Sequence, residues 1–169
     1  MQEQAKFETR VAVGQDSHAF EELDTGKKLT LGGVVFEGCH GLKANSDGDV
    51  ILHSVINSIS GISGVNILGR IADEMCAAGI TDSREYLREA LKTLSKFKSY
   101  RINNISISIE AMKPKFGIRI EDIRKNLADI LEMEISRVGI TATSGEGLTN
   151  FGKGLGIQVI TVISCDVEP

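Results

Sequence analysis

The chain has no tryptophan, only two prolines and only three cysteines in 169 residues. Two prolines beside 18 glycines argue against a collagen-like or disordered polypeptide. Cys39, Cys76 and Cys165 are odd in number and widely spaced, with no CxxC. That pattern excludes a disulfide frame and points to free thiols in a reducing compartment. No run approaches the roughly 18 apolar residues of a membrane span, so no membrane partner is expected. Positive charge is also short: 19 Lys and Arg face 23 Asp and Glu, a net charge of -4. There is no global excess to neutralise a nucleic-acid backbone, and no nucleic-acid partner is expected. The opening MQEQAKFETR is neither a secretory h-region nor an Arg/Ser-rich transit peptide. We expect a flexible N-terminus over residues 1–8 and a cytoplasmic protein, or an organellar one already processed.

What remains is the composition of a globular domain, with 41% hydrophobic and 25% charged residues. Phe7, Thr9, Val11 and Val13 alternate as a half-buried strand that runs into Gly14, and Gln15 to His18 either continues it or begins a loop. Gly32-Gly33 divides Lys28 to Glu37 into a hairpin. Ser46 followed by Asp49 reads as a capping box that opens a helix with Val50, Leu52, Val55, Ile56, Ile59 and Ile62 on its apolar face. Gly61 to Gly79 reads as a mobile loop with short helical pieces. A second helix begins near Thr81 with Leu87, Ala90, Leu91, Leu94 and Phe97 as its stripe. Asn104 to Glu110 alternates strictly as a strand, Lys113-Pro114-Lys115 ends it, and a third helix spans Arg119 to Glu132. Val138 to Ala142 and Ile157 to Val167 are further strands, separated by a glycine-rich loop from Thr143 to Gly156. The expectation is one α+β domain over residues 1–169, with about three helices on one face of a four- to five-stranded mixed sheet. The first and last strands have no local partner, so the topology stays open.

The chemistry-bearing residues are few. In Asp16-x-His18 the two side chains project from the same face of a strand. His53 stands one helical turn after Asp49. Asp16, His18 and His53 form a ligand set suited to Zn²⁺ with one position open, or they are unrelated polar residues at element ends. If the nearest ring nitrogens of His18 and His53 lie beyond about 6 Å, no single ion joins them. Asp47-Gly48-Asp49 reads more readily as a helix N-terminus than as a metal site. Thr143-Ser144-Gly145-Glu146-Gly147 is either an ordinary turn or a loop whose N–H groups cradle a phosphate while Glu146 holds a divalent cation.

Taken in order, Asp16-Ser-His18-Ala-Phe20, Leu42-Lys-Ala-Asn45-Ser46-Asp47-Gly48-Asp49-Val50 with His53, Asp82-Ser83-Arg84, Pro114-Lys115 and Thr143-Ser144-Gly-Glu146 resemble the 2-C-methyl-D-erythritol 2,4-cyclodiphosphate synthases of the non-mevalonate isoprenoid pathway. The resemblance covers about residues 10 to 164. It implies a lyase that cyclises 4-diphosphocytidyl-2-C-methyl-D-erythritol 2-phosphate and releases CMP. It also implies Zn²⁺ on Asp16, His18 and His53, and Mg²⁺ or Mn²⁺ on Glu146 bridging the substrate diphosphate. Substrate contacts would come from Asp16, His18, Asn45, Ser46, Gly69, Thr143, Ser144, Glu146 and Lys153. Ala111 to Gly117, with Pro114, Lys115 and Phe116, would receive the cytosine. Asn45 and Ser144 occupy the positions of catalytic residues, Ser144 keeping the hydroxyl of a threonine that stabilises the transition state. The implied assembly is a homotrimer with sites between subunits.

This chain departs from the family pattern on the nucleotide side. Asn45-Ser46 stands where the family has His-Ser, Ile67-Leu68-Gly69 where it has Asp-Ile-Gly, and Ala72-Asp73-Glu74-Met75-Cys76 where it has a Phe-Pro-Asp-Thr-Asp flap. Asn150 replaces an aromatic and Lys153 an arginine. Ile67 cannot accept a bond from a ribose hydroxyl, whereas Asp73 or Glu74 can. Two readings therefore stand: the synthase, or a diverged homologue that binds a metal and a phosphorylated ligand without turnover. A metal-dependent phosphohydrolase is a third.

Overall fold

The computed structural model describes residues 6–22, 25–117 and 119–169. The flexible N-terminus expected over residues 1–8 lies mostly outside them, and Glu8 already belongs to the first strand. In chain order the elements are β1 (Glu8–Ala19), β2 (Lys28–Leu31), β3 (Val34–His40), α1 (Val50–Ser63), α2 (Arg70–Ala77), α3 (Ser83–Lys92), β4 (Ser99–Glu110), α4 (Arg119–Ile130), β5 (Val138–Thr143) and β6 (Gly156–Glu168). Among the described residues no helix is long and apolar enough to cross a membrane.

The four-stranded sheet has the order β1-β6-β4-β5. β6 is antiparallel to both β1 and β4, while β4 and β5 run parallel, so the sheet is mixed as expected. The first and last strands, which had no local partner in the sequence, pair with each other. β2 and β3 form a separate two-stranded hairpin. On the inner face of the sheet, Ile105, Ile107, Ile109, Val159, Ile163 and Cys165 are buried in one core with α1, α3 and α4. Val11 and Val13 lie on the outer face with 66% and 63% of their surface exposed.

Among the described residues four α-helices stand where about three were expected. The extra one is α2, one short helical piece within the stretch read as a loop with such pieces; its sequence RIADEMCA buries no residue fully. The second expected helix is shorter than its stripe, because Thr93–Lys96 tightens into a 3₁₀ turn that carries Leu94 into the core. β4 begins before Asn104, and a bulge between Ile102 and Asn104 lets Ile102 and Ile105 both face inward.

The capping reading of Ser46 is corrected. Asp49 is the N-cap of α1, its carboxylate accepting from Leu52 N at 3.1 Å. It also accepts from Gly32 N at 2.8 Å and Gly33 N at 2.6 Å, so one buried side chain caps the helix and fastens the β2–β3 turn. Burial pushes its pKa up to about 6 and Asp47 adds to the rise, while the three backbone N–H donors work in the opposite direction.

α1 lies directly on β1. A Cβ on Gly14 would stand 2.0 Å from the Ser54 carbonyl oxygen and 2.3 Å from Ser58 N. Beside this contact Asn57 Nδ2 donates to Gln15 O at 2.9 Å, and the buried Ser54 and Thr161 hydroxyls meet at 2.6 Å. Gly14→Ala must therefore push α1 off the sheet, and we expect a loss on the order of 3 kcal/mol in urea denaturation. Gly139→Ala, whose Cβ would meet nothing nearer than 3.7 Å, is expected to cost less than about 1 kcal/mol.

Candidate metal and phosphate site

The end of β1 and the first turn of α1 bring Asp16, His18 and His53 together. Asp16 Oδ2 lies 2.9 Å from His18 Nε2 and 2.9 Å from His53 Nδ1, and the two imidazole nitrogens are 3.1 Å apart. That is well inside the 6 Å limit set from the sequence. A tetrahedral zinc with bonds of about 2.0–2.1 Å holds its ligand atoms about 3.3–3.4 Å apart, so the edges of this triangle need to open by about 0.2–0.5 Å.

The surrounding bonds fix what these atoms offer. His18 Nδ1 is 2.8 Å from the Lys43 carbonyl, which only accepts, so Nδ1 carries the hydrogen and Nε2 keeps its lone pair. His53 Nε2 is 2.9 Å from Ser83 Oγ, leaving Nδ1 on the side of the cluster. Electron-pair donors this close repel unless a cation lies among them. Burial opposes ionisation of Asp16, but when the two imidazoles are protonated their N–H groups and charge hold its carboxyl well below the usual range. The bond to Asp16 raises the His18 pKa against the opposing effect of burial. The donor set thus fits a divalent metal.

A cavity of about 350 Å³ opens over the cluster, lined by Asp16, His18, Asn45, Ser46, His53 and Gly69, all but His53 anticipated as substrate contacts and His53 as a metal ligand. Its other walls include Leu68, Ala72 and Cys76, expected only as parts of segments that depart from the family pattern on the nucleotide side, and Tyr86, which the sequence did not single out. Burial pushes the Tyr86 pKa up to about 12. Ala72, Asp73 and Cys76 reach the cavity at the i, i+1, i+4 spacing of one face of α2, Leu68 lies just before that helix, and Tyr86 comes from α3. Ile67 does not line the cavity; it is 1% exposed in the core. Asp73 does line it, whereas Glu74 turns outward to Arg70 at 2.8 Å.

The other anticipated residues form a second group at the ends of β4 and β5. Ala111 N donates to Thr143 O at 3.0 Å, joining the expected base-binding segment to the expected phosphate loop. Pro114 and Phe116 are buried, with Phe116 edge-on to Phe36 at 5.8 Å, and Ala111 is also buried. This segment can therefore offer a base its backbone, Lys115 and Gly117, but not the Phe116 ring. In the loop, Gly145, Glu146 and Gly147 all take left-handed φ values, of 70°, 49° and 75°. Glu146 is strained there, an arrangement common at ligand-binding turns. Ser144 Oγ donates to Glu146 Oε1 at 3.0 Å. Glu110, which the sequence reading passed over, lies under the loop and accepts from Thr149 Oγ1. Lys153 is exposed at the loop's far side. Glu146 is not part of the Asp16, His18 and His53 cluster. β1 and β5 are opposite edges of the sheet, about 14 Å apart at usual strand spacing.

Known proteins share this sequence and this fold. The YgbB family model matches residues 9–166. The 2-C-methyl-D-erythritol 2,4-cyclodiphosphate synthase of Chlamydia muridarum is 44% identical over 156 residues, covering 92% of this chain and 86% of that protein. The synthase of Chlamydia caviae is likewise 44% identical, over 92% of this chain and 88% of that one. This chain belongs to the 2-C-methyl-D-erythritol 2,4-cyclodiphosphate synthase family. Among solved structures, IspF of Plasmodium falciparum in a CDP complex superposes with a TM-score of 0.78 at 30% identity, over 95% of this chain and 97% of that one. The bifunctional IspDF of Campylobacter jejuni gives a TM-score of 0.84 at 29% identity; this chain is matched over 96% of its length and spans 43% of that protein.

The cluster predicts one zinc per chain. Zinc titration with a chromophoric chelator as competitor should show one tight equivalent in the parent protein, lost in His53→Ala and in Asp16→Ala. Equal uptake by parent and variants would place the metal elsewhere.

Proposed function

We propose that the chain converts 4-diphosphocytidyl-2-C-methyl-D-erythritol 2-phosphate to 2-C-methyl-D-erythritol 2,4-cyclodiphosphate and CMP. The observation that carries this reading is the convergence of three electron-pair donors at the mouth of a cavity whose walls include the Asn45-Ser46 turn. In the reaction an oxygen of the 2-phosphate attacks the β-phosphorus of the same molecule, the bond to the bridging oxygen of CMP breaks, and the electron pair leaves on CMP. The nucleophile is already anionic, so no strong base is needed. The protein must instead fold an anionic chain back on itself, and good intramolecular alignment can remove up to about 7–11 kcal/mol of barrier.

Each residue then has a task. Asp16, His18 and His53 hold Zn²⁺, which when bound neutralises and polarises phosphoryl oxygens. Asn45 and Ser46 offer an amide and a hydroxyl to the phosphate beside it, and Gly69 lets a sugar approach the backbone of α2. Thr143, Ser144 and the N–H groups of the following turn cradle the diphosphate, with Glu146 as the carboxylate for Mg²⁺ or Mn²⁺. Lys153 adds a cation at the rim. Ala111, Pro114, Lys115, Phe116 and Gly117 form the cytosine segment through their backbone. Asp73 takes the ribose-binding role that Ile67 cannot fill. The chain acts as one unit over residues 1–169, and its free cysteines suit the cytoplasm.

We infer further that the unit is a homotrimer. The outer sheet face presents Val11, Val13, Ile160 and Val162 to solvent, an apolar surface that a second copy would cover. The phosphate loop and the metal cluster lie at opposite edges of one sheet, so a neighbour's loop is better placed to close the cavity. Cyclic symmetry would repeat that shared site at every interface.

Incubation of the purified protein with the cytidylylated substrate, Zn²⁺ and Mg²⁺, followed by ³¹P NMR, should yield CMP and the cyclic diphosphate in equal amounts. Substrate binding without product would select the non-catalytic homologue, and inorganic phosphate as the product would select a hydrolase. In the same assay Asp73→Asn should raise KM about tenfold or more with kcat little changed, as for loss of a charge-assisted bond to a ribose hydroxyl. Sedimentation equilibrium should return three times the 18.2 kDa chain mass; a species of one chain mass at high concentration would refute the trimer.

A further inference from the structure

One polar chain leads away from the metal cluster into the protein. Behind His53, on the side opposite Asp16 and His18, Nε2 is 2.9 Å from Ser83 Oγ. Ser83 Oγ in turn is 2.5 Å from Asp47 Oδ1, and Ser83 N donates to Asp47 Oδ2 at 3.0 Å. Ser83 is fully buried and His53 is 6% exposed, so water does not substitute for these partners. We propose that Asp47 and Ser83 are positioning residues that keep the hydrogen of His53 on Nε2 and so commit Nδ1 to the metal.

The Asp47 carboxylate only accepts, so the single hydroxyl hydrogen of Ser83 goes to it. Ser83 Oγ then has only lone pairs to turn toward His53, and a bare Nε2 at 2.9 Å would meet them unfavourably. The opposing pull is real: Asp16 Oδ2, 2.9 Å from Nδ1, would accept a hydrogen there and block the ligand position. Ser46 Oγ, at 3.5 Å from Nε2, is too distant to replace Ser83. Asp47 is held in turn by Asp49 N at 3.1 Å, and its own N–H by the Thr81 carbonyl at 2.9 Å. The start of α1, the turn before α3 and the metal ligand are thereby set by one carboxylate. Such partners behind a ligating histidine typically contribute about 10–100-fold to metal affinity.

This inference rests on the metal reading of the cluster, and the test separates the two. Zinc dissociation constants are measured by chelator competition on full-length protein, with thermal melts verifying the fold. The ring ¹⁵N spectrum of His53 is recorded without metal. Ser83→Ala should weaken zinc about 10–100-fold, and Ser83→Thr, which keeps the hydroxyl, should restore most of the affinity. Asp47→Asn should weaken zinc although Ser83 is still present, because the amide can donate to Ser83 Oγ and free its hydrogen to face Nε2. The metal-free parent should show the His53 hydrogen on Nε2, shifting toward Nδ1 in Ser83→Ala. Folded Ser83→Ala protein with zinc affinity within twofold of the parent, or an unchanged ring tautomer, overturns the relay. A parent that binds no zinc but shows Nε2–H overturns the metal reading and leaves the relay standing on the spectrum.

Discussion

The site depends on α1 lying flush against β1, and that closeness depends on the missing side chain of Gly14. Asp16 and His18 leave the inner face of the strand two and four residues later, on the same side as Gly14. His53 leaves the helix one residue before Ser54, whose carbonyl occupies the space a Gly14 Cβ would need. Any gap between helix and strand would therefore open the triangle formed by the carboxylate and the two rings. The metal geometry is set by backbone packing before any ligand bond forms, which is what a preorganised site requires.

Carboxylates around the first turn of α1 keep that packing in register. Asp49 faces into the core and fastens the helix to the β2–β3 turn. Asp47 faces the other way and fastens it to the start of α3. Asp16 is then free to face the cavity, because neither structural role falls to it. The Asp-Gly-Asp segment is thus chiefly architectural, and it acts on the metal through Ser83 rather than as a ligand. Charge buried this way is tolerable because every carboxylate is answered by backbone N–H groups, a hydroxyl or an imidazole.

The sheet strands were legible in the sequence because Asn104 to Glu110 and Phe7 to Val13 alternate cleanly, and burial on one face enforces that period. The pairing of the first and last strands was not legible, since it joins residues as far apart as Glu8 and Val167 through no local signal. α2 was legible only as one of the short helical pieces expected between Gly61 and Gly79, because its eight residues include none that is fully buried. In the site, spacing alone left Asp16, His18 and His53 open between a metal set and unrelated polar residues, and it was the family resemblance that pointed to their convergence. Ile67 misled because a residue's place in a motif says nothing of which way a strand or turn directs it; here it points into the core while Asp73, in the helix that follows, faces the cavity. Ser83 was visible only as part of Asp-Ser-Arg, a helix start, and its bond to His53 appears only when α1 and α3 are packed.

The proposed chemistry turns on Asp16, His18 and His53 forming one cation site that faces the cavity. Crystals grown with zinc and measured by anomalous diffraction at the zinc edge should show one strong peak per chain about 2.0–2.2 Å from Asp16 Oδ2, His18 Nε2 and His53 Nδ1, with its fourth position open to the cavity. No peak there, with the two rings and the carboxylate still bonded only to one another, would contradict it.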